Sequence, residues 1–161
     1  MTQAERYTTL EGLLKRDGAV DSSYQAALYL LSSDRDLFEI AQKRISPIGI
    51  DFSGIKRDTR DFEEIGRQVV DLAHNLFSWT SKCKVTPFDI SRLGYPSMDH
   101  AIHAIYIASD MVTVQIQESE NGSPELLLDD EPHRRTQRIQ QGFAKMLEQQ
   151  FAEKSSEDWE R

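Results

Sequence analysis

The segment from about Asp58 to Ser78 constrains the fold of this chain most. In it Phe62, Ile65, Val69, Leu72, Ala73 and Leu76 recur at helical spacing. At about 100° per residue these side chains share one side of an α-helix. Burying side chains of that size contributes roughly 1.5–3 kcal/mol each before chain entropy is counted. The pattern predicts a central helix, and its neighbours are legible nearby. Tyr7, Leu10, Leu13 and Leu14 mark a helix from about Gln3 to Arg16, with Gly18 as its left-handed exit. Asp21 or Ser22 caps a second helix, whose apolar face is Tyr24, Ala27, Leu28 and Leu31. Ser33 or Asp34 starts a third, carrying Leu37, Phe38, Ile40 and Ala41. Thr86-Pro87-Phe88-Asp89 is a helix start with a hydroxyl cap, a proline in the first turn and an acid at the positive end. A further helix, capped by Ser97, carries Met98, Ala101, Ile102, Ile105 and Ala108.

Three segments interrupt this helical text. Ser46 to Gly54 contains Pro47, Gly49 and Gly54 between Ile48, Ile50 and Phe52, and reads as a loop pinned to the core by alternate side chains. Residues 111–117 alternate like a strand, yet a lone strand has nothing to pair with, so helix continuation is expected. Glu118 to Pro132, with Asn121-Gly122-Ser123-Pro124 and then Asp129, Asp130 and Glu131, reads as an acidic linker. Ile139, Phe143, Met146, Leu147 and Phe151 then form the apolar side of a closing helix. The expected architecture is all-α: a compact bundle of about five or six helices with an amphipathic C-terminal helix. Residues 1–117 form a helical core domain, 118–131 a linker, 132–154 the closing helix and 155–161 a frayed tail. The closing helix is expected to dock on its own domain, with binding to another chain as the alternative.

At 161 residues, one domain suffices. No window approaches 18 consecutive apolar residues, so no membrane span is expected. The start, MTQAERYTTLEGLLKR, lacks a basic stretch followed by an apolar one, so no secretory signal is expected either. Cys83 is the only cysteine, which excludes an internal disulfide and suits a reducing cytoplasm. Lys82 and Lys84 beside it could depress its pKa, but a loop thiol is the expected role. The formal net charge of −8 repels phosphate backbones, so direct nucleic-acid binding is disfavoured, while a protein partner is not. Glycine-rich phosphate loops, a Gly-x-Ser-x-Gly elbow and a His-Glu-x-x-His helix are absent from the sequence.

Leu13-Leu14-x-x-Asp17, Tyr24-x-x-Ala27-Leu28-Tyr29-Leu30-Leu31 and Asp34-x-Asp36-Leu37-Phe38 resemble the opening of a small bacterial domain family of unknown function. Leu72-Ala73-x-Asn75-Leu76-Phe77, Thr86-Pro87-Phe88-Asp89-Ile90 and Ala101-Ile102-x-Ala104-Ile105 continue the likeness across roughly residues 5–108. The resemblance implies a compact, α-rich bacterial domain and brings no functional residue. Arg67, Asp71 and His74 lie on one face of the central helix, with Arg67 and His74 two turns apart. Histidine moves protons near neutral pH and arginine holds phosphate. That pair resembles the Arg-x(4–6)-His motif of the helical HEPN ribonuclease class, which implies an RNA-cleaving site. A solvated polar face is the competing expectation for the same three residues. His100 and His103 share a helical face and could begin a metal site if carboxylates completed it. No cofactor is expected. The leading expectation is a non-enzymatic protein-binding or inhibitory module of bacterial or phage origin. It acts through Phe143, Met146, Leu147 and Phe151, on a partner or on itself. A ribonuclease using Arg67 and His74 is the alternative.

Overall fold

A computed structural model describes residues 1–159, the side chains of residues 157 and 158 excepted. The elements run α1 (Gln3–Leu13), α2 (Ser22–Ser33), α3 (Arg35–Ala41), β1 (Ile45–Ser46), β2 (Gly49–Ile50), α4 (Phe52–Asp58), α5 (Glu64–Phe77), α6 (Pro87–Ser91), α7 (Ser97–Ala108), β3 (Thr113–Glu118), β4 (Pro124–Asp129) and α8 (Glu131–Trp159). Helix starts follow local chemistry. Thr2 and Glu5 form a capping box on α1, and Thr86 and Asp89 form another on α6. The Asp21 carboxylate caps α2. Asp34 closes α2 in an extended conformation and accepts from the amides of Asp36 and Leu37, which opens α3 without a linker.

The expected all-α bundle is wrong in class. Two antiparallel two-stranded sheets accompany eight helices among the described residues. Residues 111–117 do not continue α7. Ser109 ends that helix, Asp110 takes a left-handed backbone with φ 61°, and β3 follows. The partner strand lies inside the segment read as a linker: Val114 opposes Leu128 and Ile116 opposes Leu126. Gly122, at φ 76°, makes the turn between them. Val114, Leu126 and Leu128 pack on the core, and the Val114 amide donates to the Gln25 side chain of α2 at 3.0 Å. Residues 118–131 therefore belong to the domain. Ser46 to Gly54 is no simple loop either. A minimal hairpin is followed by α4, capped by the Asp51 carboxylate on the Gly54 amide. A β-carbon at Gly54 would strike the Asp51 carboxylate and the Arg44 side chain.

The centre of the core is α2 rather than α5. Every residue from Ala26 to Ser32 is buried, because α2 is apolar on all sides and is covered by α1, α3, α5, α7 and β3. Helix α5 begins six residues later than the periodicity suggested. Val69, Val70, Leu72 and Ala73 are its buried residues, and Ile65 is 41% exposed. In α7 two alanines and one isoleucine face inward. Ala101, Ala104 and Ile107 are buried, while Met98, Ile102 and Ile105 are exposed. Among the described residues no helix is long and apolar enough to cross a membrane. The tail expected to fray at 155 continues as helix to Trp159, and residues 160–161 lie outside the described residues.

Candidate functional site

Helix α5 turns Val69, Leu72 and Ala73 inward, so its opposite side carries Arg67, Gln68 and Asp71. Asp71 is half-buried and organises its surroundings. It accepts from Lys56 Nζ of α4 at 2.9 Å and from the Lys84 backbone amide at 2.7 Å. Burial acts to raise its pKa, but the Lys56 bond, the Lys84 amide and the Lys56 charge outweigh it and hold the carboxyl below its ordinary value. One turn further along, Asn75 Nδ2 donates to the Ser81 carbonyl at 3.0 Å. Residues 78–86 join α5 to α6, and these two bonds pin that segment along the helix.

The result is an open cleft of about 670 Å³ between α4, α5 and the pinned segment. Five of its lining residues are cations, Lys56, Arg60, Arg67, Lys82 and Lys84, against the acids Glu64, Asp71 and Asp89. Arg67 and Asp71 lie in this cleft together, while His74 is not part of its lining. The arginine–histidine pair is therefore not assembled in it. In the sequence Lys82 and Lys84 stand out only as neighbours of Cys83, and Lys56 lies in a separate segment. Nothing in their spacing foretells convergence, which depends on how α4 and residues 78–86 pack against α5. Lys82 and Lys84 do not make Cys83 acidic: burial pushes the thiol up, and the nearby Asp71 charge adds to this.

His74 lies against Phe52 of α4, ring centroids 4.6 Å apart and planes within 15°. Its Nδ1 is buried with no hydrogen-bond partner among the described residues. Burial first, and the Lys56 charge second, depress its pKa below 6.5, against an opposing pull from Asp71. The unfolded chain therefore binds a proton near pH 6.5 that the folded chain accepts only at lower pH. Stability is complete above about pH 6.5 and declines as pH falls toward the folded pKa. His100, depressed mainly by burial, acts in the same direction. Urea midpoints taken between about pH 7.5 and about pH 5 should fall with acid, and fall less in His74→Phe. Equal falls in both proteins would remove His74 as a source.

His100 and His103 are held by packing. The His100 ring meets Tyr29 edge-on at 5.8 Å, and His103 Nδ1 lies 3.3 Å from the Tyr29 hydroxyl and 3.8 Å from Asp99 Oδ2. Among the described residues no group of three or more His, Cys, Asp or Glu is placed to hold a metal ion.

The third candidate region is α8. Its first turn is tied down by Asp129 accepting from the Glu131 amide and by His133 donating its amide to the Met111 carbonyl. Beyond that, every described side chain from Arg134 to Trp159 is exposed, contrary to the expected docking on the domain. Phe143 is 61% and Phe151 68% exposed, and Ile139, Met146 and Leu147 accompany them. Charge along the helix is polarised. Residues 131–145 hold four basic residues and one acidic, and residues 146–159 hold one basic and four acidic. No family model, curated protein or solved structure matches this chain.

Proposed function

We propose that this chain is an assembly module whose α8 pairs antiparallel with α8 of a second copy. The observation that carries the proposal is a 29-residue helix with an apolar side that no described residue of its own domain covers. At 1.5 Å per residue it is about 43 Å long. Large apolar side chains sustained along one side of an exposed helix are the pattern of a helix–helix seam.

Charge selects both the occupant and the direction. A parallel pair would set the basic half against the basic half and the acidic half against the acidic half. An antiparallel pair sets each half against its complement. Arg135 and Glu153 are eighteen residues, or five turns, apart, so they flank the apolar side along the same edge. Arg135 has no ion-pair partner among the described residues, unlike Arg134 and Arg138, which bond Asp130 and Glu131 at the domain end. Centred near residue 144, an antiparallel pair brings Arg135 of each copy to Glu153 of the other.

Light scattering across a dilution series should give a mass tending to twice 18.5 kDa, and truncation after Asp130 should give a monomer. Arg135→Glu and Glu153→Arg should each raise the dimer dissociation constant several-fold, since exposed ion pairs are worth roughly 0.2–1 kcal/mol apiece. The double variant should restore it. A monomer at every concentration, or a double variant no tighter than the single ones, removes this reading. Loss of the dimer in Ile105→Glu, with α8 variants unaffected, would move the seam to the exposed side of α7.

A further inference from the structure

We propose that the cleft between α4, α5 and residues 78–86 is a binding site for a compact polyphosphate anion. The chain as a whole is strongly acidic, at −8, yet this cleft has five cations to three acids in its lining. The acids already accept hydrogen bonds from groups of the chain itself. Asp71 is spent on Lys56 and the Lys84 amide, Asp89 on the amide and hydroxyl of Thr86, and Glu64 accepts from Gln68 in the first turn of α5. Arg60, Arg67, Lys82 and Lys84 have no ion-pair partner among the described residues. Five cations against three carboxylates leave the lining with a net charge of +2, and a concave site concentrates that field on an anion.

The site is also held in advance of any ligand. Lys82 and Lys84 lie on a segment without helix or strand structure, and Asn75 and Asp71 fasten that segment to α5 at Ser81 and Lys84. A ligand then meets cations whose backbone is already ordered, which lowers the entropy cost of binding. Its chemistry follows from the lining. Val70 and Val85 are the only purely apolar residues there, so burial of apolar surface supplies little affinity. Two guanidinium forks and two ammonium groups match an anion of several charges with tetrahedral oxygens, better than a single carboxylate. The volume of about 670 Å³ suits a small molecule.

Isothermal titration of the full chain at low salt, with inorganic pyrophosphate and separately with ADP, tests the site. Saturable binding of pyrophosphate is expected, weakened about tenfold or more in Arg67→Ala and in Lys84→Ala. Lys84→Ala removes the ammonium and leaves the backbone amide that Asp71 holds, so the pinned segment stays in place. Lys43→Ala, outside the cleft lining, should bind as the wild type does. Tighter binding of ADP identifies a ligand with a nucleoside attached, and equal affinities identify the phosphate chain alone; both keep the site. No saturable heat from either probe, or an equal loss in Lys43→Ala, overturns it. So does a single-stranded RNA oligomer that binds more tightly than both, because the groove would then be a nucleic-acid track.

Discussion

Replacing Phe143 and Leu147 together with glutamate is expected to leave the domain folded and to abolish self-association. Neither side chain touches the core, and both are exposed along α8, so the unfolding midpoint of the domain should move little. The effect on pairing is large for two reasons. In a two-copy seam each substitution counts twice, and burial of such side chains is worth roughly 1.5–3 kcal/mol each. Association itself costs an estimated 4–15 kcal/mol in lost freedom, so losing four apolar contacts, roughly 6–12 kcal/mol in all, removes much of what offsets it. Carboxylates brought into the seam add like-charge repulsion and desolvation. Sedimentation velocity should show monomer at every concentration, with an unchanged domain melt. A variant that still sediments as a dimer would place the seam elsewhere.

The largest expected effect on stability is at Leu30. It is 0% exposed in the most buried stretch of the chain, so Leu30→Ala removes its packing and leaves a cavity at the centre of the core. A loss of about 2–5 kcal/mol is expected. Ile65→Ala is the counterpart. Helical periodicity alone gives Ile65 the same standing as Leu72, but at 41% exposure its truncation should cost only about 1 kcal/mol. Urea denaturation of the two variants beside the wild type compares them directly. Similar losses at both positions would contradict the placement of α2 at the centre.

Leu30 and Ile65 also mark where sequence patterning reached its limit. The stripe on α5 announced a helix correctly, and Val69, Leu72 and Ala73 lie on its buried side as the spacing required. Periodicity states which residues share a side, not how far along the helix its neighbours extend. Residues 26–31, Ala-Ala-Leu-Tyr-Leu-Leu, are apolar without interruption, which is the signature of a helix covered all round. That unbroken run, rather than any single face, marks the true centre. The hairpin is hidden because each strand alone lacks a visible partner. Thr113 to Gln117 alternates as a strand should, and Leu126-Leu127-Leu128 beyond Asn121-Gly122 was its available partner. The acidic residues around those leucines disguised them as linker.

The candidate sites divide along the same line. Phe143, Met146, Leu147 and Phe151 were legible as an apolar side because they belong to one helix. That none of the described residues covers them was not legible. The cationic cleft was invisible, since Arg60, Arg67, Lys82 and Lys84 come from separate segments and an overall charge of −8 averages them away. Arg67 and His74 looked like a pair because two turns separate them, yet His74 stacks on Phe52.

Local order was written in the chain itself: where helices start, which residues cap them and which sides are apolar. These depend on neighbours within a few positions, through backbone hydrogen bonding and a fixed helical period. Tertiary packing alone decided which helix sits at the centre, that an apparent linker closes a hairpin, and that four scattered cations meet in one cleft. Those outcomes depend on distances between segments far apart in sequence, and a residue's own neighbourhood holds no record of them.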